Sequence, residues 1–440
     1  MNPGRREMIR LMLGAAGGAA VLGGCKRYLR RSRARVVVVG GGYGGAACAK
    51  YLKQLEPALQ VTLVEPKKRF VTCPFSNAAM AGLVPYKSLI RTYGFLKKDY
   101  GIDIVHARAD RIDADKKTLL LENGVRLAYD RLVVSPGISM LWNESPDGYD
   151  MEAAEIMPHA WTGGPQTRIL GQKLRNMSNG GVVVISVPPA PFRCPPGPYE
   201  RASLMAYYLK THKPRSKVLI LNANTHFSKE DLFMEAWQEL YADMIEYLPI
   251  TNGGLVTAVT PARGLVHTDA GQIHADVANI IPSQVAGALA RDNGLTDESG
   301  WCPVDHQTFE STLVPDVHVI GDSCLAGAMP KSASSANSQA KACSLALVSL
   351  LYNEDPVAPV YHNTCYSLAA PDYGFSINGM YRYHDRRITL IQKAGGLSPL
   401  KASREFRRRE ARYAHDWYDS INMDTFGGNA TVTWPSADSE

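Results

Sequence analysis

Residues Arg35 to Glu65, RVVVVGGGYGGAACAKYLKQLEPALQVTLVE, constrain the fold of this chain more than any other segment. A β-branched run, Val36 to Val39, enters Gly40-x-Gly42-x-x-Gly45. A helix-forming stretch follows, and a second strand, Val61 to Val64, ends on Glu65. Strand, Gly-rich turn, helix, strand and acid in this register form a dinucleotide-binding βαβ unit. Each part has a mechanical role. Gly40 permits the tight turn, Gly42 lets the backbone approach a pyrophosphate, and Gly45 lets helix and strand pack closely. The helix N-terminus turns unpaired N–H groups and a positive dipole end towards the phosphates. Glu65, 20 residues past the last glycine, can accept hydrogen bonds from a ribose.

At 440 residues the chain is long enough for two or three domains. Its net charge of +6 is unevenly placed. Residues 1–33 carry eight Lys and Arg against Glu7 alone, a net +7, which leaves the remainder at −1. The basic balance therefore belongs to the N-terminus and gives no support to nucleic-acid binding. In that segment Arg5-Arg6 precedes an apolar, Gly- and Ala-rich run to Gly24, the pattern of a twin-arginine export signal and a periplasmic destination. The run is too short and too glycine-rich for a comfortable membrane span. Leu22-Gly-Gly-Cys25 also resembles a lipoprotein signal, so a membrane anchor is expected only if Cys25 is lipidated. The eight cysteines (25, 48, 73, 194, 302, 324, 343 and 365) contain no CxxC pair, no zinc spacing and no CxxCH, so the chain attaches no c-type haem itself. No metal site is expected.

Beyond the export segment (1–33), the pattern divides into residues 34–150, 151–280, 281–345 and 346–440. The first opens with the βαβ unit, and its segment Asp130-Arg-Leu-Val-Val-Ser-Pro-Gly137 is a strand entering a turn at Gly137. A second α/β unit starts at Gly181, with strands at Val182–Val187 and Lys217–Leu221 around a helical stretch, Tyr199–Leu209. The loop after its first strand, Pro188 to Glu200, holds six prolines in thirteen residues. Proline fixes φ and removes N–H donors, so this loop cannot cradle a nicotinamide dinucleotide. The chain then returns to the first domain with His318-Val-Ile-Gly-Asp322, an apolar strand ending on a carboxylate. Some 280 residues after the glycine fingerprint, that carboxylate points to the ribityl or phosphate part of FAD. The tail from 346 is tyrosine-rich, with a basic helix-like stretch, Lys401 to Arg412, read as a solvated face. The fold class is α/β: two Rossmann-like dinucleotide-binding domains, glutathione-reductase-like, plus a C-terminal α+β domain.

Several segments are more specific than the fingerprint: Val71-Thr-Cys-Pro-Phe-Ser-Asn77, Pro158-His-Ala-Trp161, Ala190-Pro-Phe-Arg-Cys-Pro-Pro-Gly-Pro-Tyr-Glu-Arg-Ala-Ser203, Gly300-Trp-Cys-Pro-Val-Asp305, Met329-Pro-Lys-Ser332, Ser335-Ala-Asn-Ser-Gln339 and Asn363-Thr-Cys-Tyr-Ser367. On these the chain resembles the flavin-binding subunit of flavocytochrome c sulfide dehydrogenase, over nearly all of residues 34 to 427. The resemblance implies FAD joined by a thioether through Cys73, and a redox-active disulfide between Cys194 and Cys365. It implies Glu200 as a proton-handling group beside them; a helix N-terminal acid favoured by the dipole is the plainer alternative. Lys331 is expected near the flavin, and Arg193 or Lys331 as a cation near the thiolate. The implied substrate is hydrosulfide and the implied partner a c-type cytochrome subunit. Two departures stand out: Pro74 replaces an expected aromatic residue, and the lipoprotein-like Cys25 stands in place of a plain export signal. Cys343, also unexpected, is read as structural with Cys302 and Cys324, a rival thiol near the flavin being the alternative. A sulfide:quinone oxidoreductase shares the disulfide chemistry, but the charged tail from Lys401 lacks the apolar amphipathic helix expected of it. A non-catalytic, flavin-bearing scaffold for a cytochrome would be favoured by loss of Cys194 or Cys365, and both are present.

Overall fold

The computed structural model describes residues 34–428. The export motif and Cys25 lie outside them. In chain order the elements that position the site are β1 (Arg35–Val39), α1 (Gly45–Leu55), β2 (Gln60–Val64), β3 (Asp103–Val105) and β4 (Arg131–Val134). Then come β5 (Val182–Val187), α2 (Gly197–His212), β6 (Lys217–Asn222), α3 (Glu230–Leu240), β7 (Ile245–Pro249) and β8 (Val277–Ile280). The last are β9 (Val317–Val319), α4 (Ala333–Leu351), β10 (Val360–Ala370), β11 (Tyr373–His384), β12 (Arg387–Leu397) and α5 (Arg404–Phe426).

Two parallel sheets give the α/β class that the sequence predicts. The first has the order β9-β4-β1-β2-β3, all parallel, so the segment around Val317 does return to the first sheet. The second has the order β7-β6-β5-β8, also parallel. Central parallel strands are covered on both faces, which is why β1 reads as unbroken valine and why Val36 to Val39 are all buried. A third sheet, β10-β11-β12, is an antiparallel meander packed on α5 and forms the C-terminal α+β unit.

Two sequence readings are decided by the packing. Cys343, on α4, does not approach the flavin side: it is fully buried in the α1–α4 packing beside Cys48, whose sulfur also receives the Ser344 hydroxyl at 3.3 Å. The helix α4 spans its length uninterrupted, so small residues such as Cys343 fill its contact with α1 rather than the cavity. The basic stretch Lys401 to Arg412 is not wholly a solvated face. Arg407 is fully buried and pairs with Glu235 of α3 at 2.6 Å, which pins α5 to the second sheet's helix layer. A helix that reads as charged all round still places its i, i+3 and i+4 positions inward, and Arg407, Glu410, Ala411 and Ala414 are that stripe.

Candidate functional site

The strand-to-helix turn after β1 opens onto a cavity of about 840 Å³. Gly40 has φ of +99°, and a Cβ there would lie 2.2 Å from the Ser135 carbonyl oxygen. At Gly45 a Cβ would lie 1.9 Å from the Gly40 carbonyl oxygen, so helix and strand touch only because this residue has no side chain. Gly42 differs. Its Cβ would meet only the Phe70 ring at 3.6 Å, an ordinary contact, and the residue faces the cavity. The neighbouring chain therefore tolerates a methyl at Gly42, and only a ligand would not. The structure adds two glycines to the predicted three: Gly41, pressed under the Tyr93 ring, and Gly44, against the Ser135 hydroxyl. Glu65 lines the same cavity, its two oxygens accepting from the Gly41 and Lys67 N–H groups at 2.8 and 2.9 Å. Gly137, with φ of +70°, also lines it.

The cavity runs from these glycines to Cys73, Cys194 and Cys365, which all line it although they come from distant segments. Cys73 lies in a short loop before Phe75, with its sulfur 3.9 Å from the Trp161 carbonyl oxygen. Cys194 sits in the proline-rich loop before α2 in a left-handed conformation, φ +56°. Its N–H donates to the Lys331 carbonyl at 2.9 Å, and its own carbonyl accepts from Gly197 at 2.8 Å. A side chain at Gly197 would press on the Trp161 ring and on the Cys194 sulfur, at 2.8 and 3.0 Å. A non-glycine residue held in this region stores about 1–3 kcal/mol of strain, which is tolerated where the surroundings over-determine the geometry. Cys365 lies on β10, the edge strand of the C-terminal sheet, opposite Ile377. The structure holds Cys194 and Cys365 as two separate thiols. Burial pushes the Cys194 thiol well up, reinforced by Cys365 and Glu200 nearby.

Around the cysteines the polar groups are tightly committed. Glu200, in the first turn of α2, accepts from Asn77 Nδ2 at 2.8 Å and from the Leu368 N–H at 3.0 Å. It thereby caps the free edge of β10. Burial raises its carboxyl above the usual range, against the pull of those two hydrogen bonds. Arg201, its neighbour, is buried and spends its guanidinium on Asn77 Oδ1, Asn279 Oδ1 and the carbonyls of His159 and Ala160, with the Trp161 ring 5.0 Å away. Burial brings it down to about 10. His159 is held neutral, its imidazole pulled down to about 4 by burial and by the charges of Arg201 and Arg193.

Asp322 lies at the cavity wall with one carboxylate oxygen 3.6 Å from Arg193 Nη1 and the other buried without a protein partner. Arg193 also donates to the Trp161 carbonyl, so it serves Asp322 and the loop. The Lys331 side chain does not line the cavity. Its ammonium bonds the carbonyls of Asp322 and Cys324 at 2.8 and 3.1 Å and lies over the Trp301 ring. Its part in the site is through its backbone, as the acceptor for Cys194. Arg193, one of the two cations expected from the sequence, acts on Cys194, and a cation that the sequence did not single out stands beside the other cysteine: Lys229 Nζ lies 3.7 Å from the Cys365 sulfur. Nothing in its local sequence marks it, because α3 and β10 meet only in the tertiary fold.

A cavity bounded by a phosphate-ready glycine turn, a ribose-ready acid, an orphaned buried carboxylate and three cysteines fits FAD. Gly42 leaves the backbone open to the pyrophosphate, Glu65 faces the ribose end, and the free Asp322 oxygen is placed to accept from a ribityl hydroxyl. The proline loop after β5 gives no second glycine fingerprint. Fold and site thus define a flavoprotein of the two-domain disulfide-reductase type.

The comparisons narrow this class. Residues 34–154 match the family pyridine nucleotide-disulphide oxidoreductase. Residues 167–282 match the central domain of the sulfide dehydrogenase [flavocytochrome c] flavoprotein chain, and residues 357–426 the flavin-binding domain of flavocytochrome c sulphide dehydrogenase. A sulfide dehydrogenase [flavocytochrome c] flavoprotein chain from Chlorobaculum thiosulfatiphilum is 75% identical over 44 residues, 10% of this chain and 92% of that short sequence. A sulfide-quinone reductase from Aquifex aeolicus is 30% identical over 185 residues, 42% of this chain and 41% of that one. Among solved structures, the sulfide:quinone oxidoreductase of Aquifex aeolicus superposes with a TM-score of 0.68 at 18% identity, covering 91% of this chain and 93% of that one, a likeness of fold. The chain belongs to the flavoprotein-chain family of flavocytochrome c sulfide dehydrogenases.

Proposed function

We propose that this protein oxidises hydrosulfide through a Cys194–Cys365 disulfide, holds FAD covalently through Cys73, and passes electrons to a c-type cytochrome subunit in the periplasm. The observation that carries the reading is the convergence of Cys73, Cys194 and Cys365, from three segments far apart in sequence, on the cavity that begins at the glycine turn. Flavin-dependent sulfide oxidation as such rests on family membership.

Hydrosulfide is a small anionic nucleophile, and a disulfide sulfur is its natural electrophile. Its attack makes one new S–S bond and breaks the Cys194–Cys365 bond. One cysteine becomes a persulfide and the other leaves as a thiolate. This divides a difficult two-electron oxidation into a covalent step and an electron-transfer step. A bound flavin accepts electrons in pairs and can release them singly. The chain's own part is to hold the sulfurs at one end of the cavity, with Trp161, Gly197 and the prolines fixing Cys194. Glu200, which lines the same cavity and whose carboxyl burial raises above the usual range, is suited to exchange a proton with the sulfur site.

The test is an anaerobic sulfide titration of the purified protein followed by flavin absorbance, with cytochrome c added afterwards. Near-stoichiometric bleaching and then recovery with cytochrome reduction is the expected outcome. Normal turnover by Cys365→Ser would refute the disulfide route, and bleaching without recovery would move the acceptor to a quinone.

A further inference from the structure

The two cysteines of the pair sit in unlike electrostatic surroundings. Cys365 lies on β10, whose free edge is bound by side chains instead of another strand. Thr364 N–H donates to Ser334 Oγ, and Leu368 N–H to Glu200. Between them the Cys365 carbonyl accepts from Lys229 Nζ at 2.8 Å. The same ammonium donates to Ser367 Oγ at 2.8 Å and has the Cys365 sulfur at 3.7 Å. An ammonium carries three donors. Two are fixed on oxygens, and the third has the sulfur as its acceptor. Lys229 is only 5% exposed, and its ammonium lies 5.7 Å from the Phe375 ring centroid, so water does little to screen it. It is placed there by a left-handed backbone, φ +64°, at the start of α3.

Cys194 has a different neighbourhood. The groups acting on its sulfur are Cys365, Glu200, Cys73 and Arg193, and Arg193 is already paired with Asp322 and the Trp161 carbonyl. Arg201, next to Glu200, is likewise spent on Asn77, Asn279 and two carbonyls.

We propose that Lys229 is the positioning residue that holds negative charge on Cys365, so that Cys365 is the thiolate and Cys194 the persulfide when hydrosulfide opens the pair. The proposal rests on the disulfide reading above. The step balances: HS⁻ adds to the Cys194 sulfur, the Cys194–Cys365 bond breaks, and its electron pair goes to the Cys365 sulfur. The negative charge of the incoming anion ends beside the ammonium, and the proton stays on the outer sulfur of Cys194. The sulfur that leaves faster is the one whose thiolate is better stabilised.

The experiment uses the full, flavin-bearing chain after reduction of the pair, alkylated with iodoacetamide across pH 5 to 10, with labelling of each cysteine followed by peptide mass spectrometry. Cys365 should label first at pH 7. Lys229→Met should slow Cys365 labelling roughly tenfold at pH 7, the effect of removing an opposite charge beside the thiolate. Lys229→Arg should keep most of the wild-type profile, which a merely structural role for the lysine stem would not require. Cys194 labelling first in the wild type, or an unmoved Cys365 profile in a folded Lys229→Met, would overturn the proposal. The wild-type comparison stands even if Lys229→Met does not fold. Oxidised protein in which both cysteines already label would instead overturn the disulfide reading beneath it.

Discussion

The three fingerprint glycines make different demands, and substituting them one at a time separates folding from cofactor binding. Gly45→Ala places a Cβ 1.9 Å from the Gly40 carbonyl oxygen and 3.1 Å from its carbon. Both are backbone atoms, so no rotamer change relieves the overlap and α1 must move off β1. Overpacking of this kind costs about 1–3 kcal/mol or more, a large part of the 5–15 kcal/mol that holds a typical domain folded. Gly42→Ala meets only the Phe70 ring at 3.6 and 3.7 Å. It should leave stability within about 1 kcal/mol of the parent, with reduced unfolded-state entropy in its favour. The added methyl stands where the backbone must approach a pyrophosphate. Loss of one charge-assisted hydrogen bond costs about 1.5–3 kcal/mol, or roughly a 10- to 150-fold weaker complex. The assay is thermal midpoint together with flavin dissociation, both in a Cys73→Ala background so that a thioether cannot mask weak binding. Gly42→Ala should keep the midpoint and lose flavin, whereas Gly45→Ala should lose both. Full flavin affinity in Gly42→Ala, or an unchanged midpoint in Gly45→Ala, would refute the division of roles.

Three further outcomes are expected. Cys73→Ala should release FAD on acid precipitation while the parent retains it; extractable flavin in the parent would dispose of the thioether. In the same Cys73→Ala background, Asp322→Asn should bind flavin more weakly, by roughly tenfold or more from the loss of a charged acceptor facing the cavity, and an unchanged dissociation constant would remove Asp322 from the cofactor site. His159, His318 and His415 are each pulled down to about 4 by burial. Their unfolded imidazoles take up a proton near 6.5, so stability is full above about pH 6.5 and falls as pH drops towards 4. The slope reaches about 1.4 kcal/mol per pH unit for each, or about 4 for the three, with the raised Glu200 carboxyl opposing by one group. Urea midpoints at pH 7 and 5.5 measure it, and a flat profile would show that these imidazoles are not held neutral.

Much of this architecture is legible from local sequence because its causes are local. A valine run buried on both faces, glycines forced by a turn, and prolines that remove N–H donors act within a few residues, so β1, the βαβ unit and the altered second loop can be read in one dimension. Segment resemblance located Cys73, Cys194, Cys365 and Glu200, and the apolar strand ending on Gly-Asp located Asp322; the fold brings all five to one cavity. Other assignments turned on geometry that sequence spacing does not encode. Lys331 lies close to Asp322 in sequence, but carbonyls and the Trp301 ring draw its ammonium away from the cavity. Cys343 is turned into the α1–α4 packing, and Arg407 is buried against Glu235.

By itself, then, the sequence determined the dinucleotide-binding turn, the lost second fingerprint, and which cysteines carry the family resemblance. The tertiary structure alone decided which charged group attends which sulfur. Lys229 reaches Cys365 across 136 residues because α3 packs beside the free edge of β10, where an unpaired carbonyl requires a donor. Electrostatic neighbourhood depends on distance and burial, and both are fixed only when separate elements are packed together.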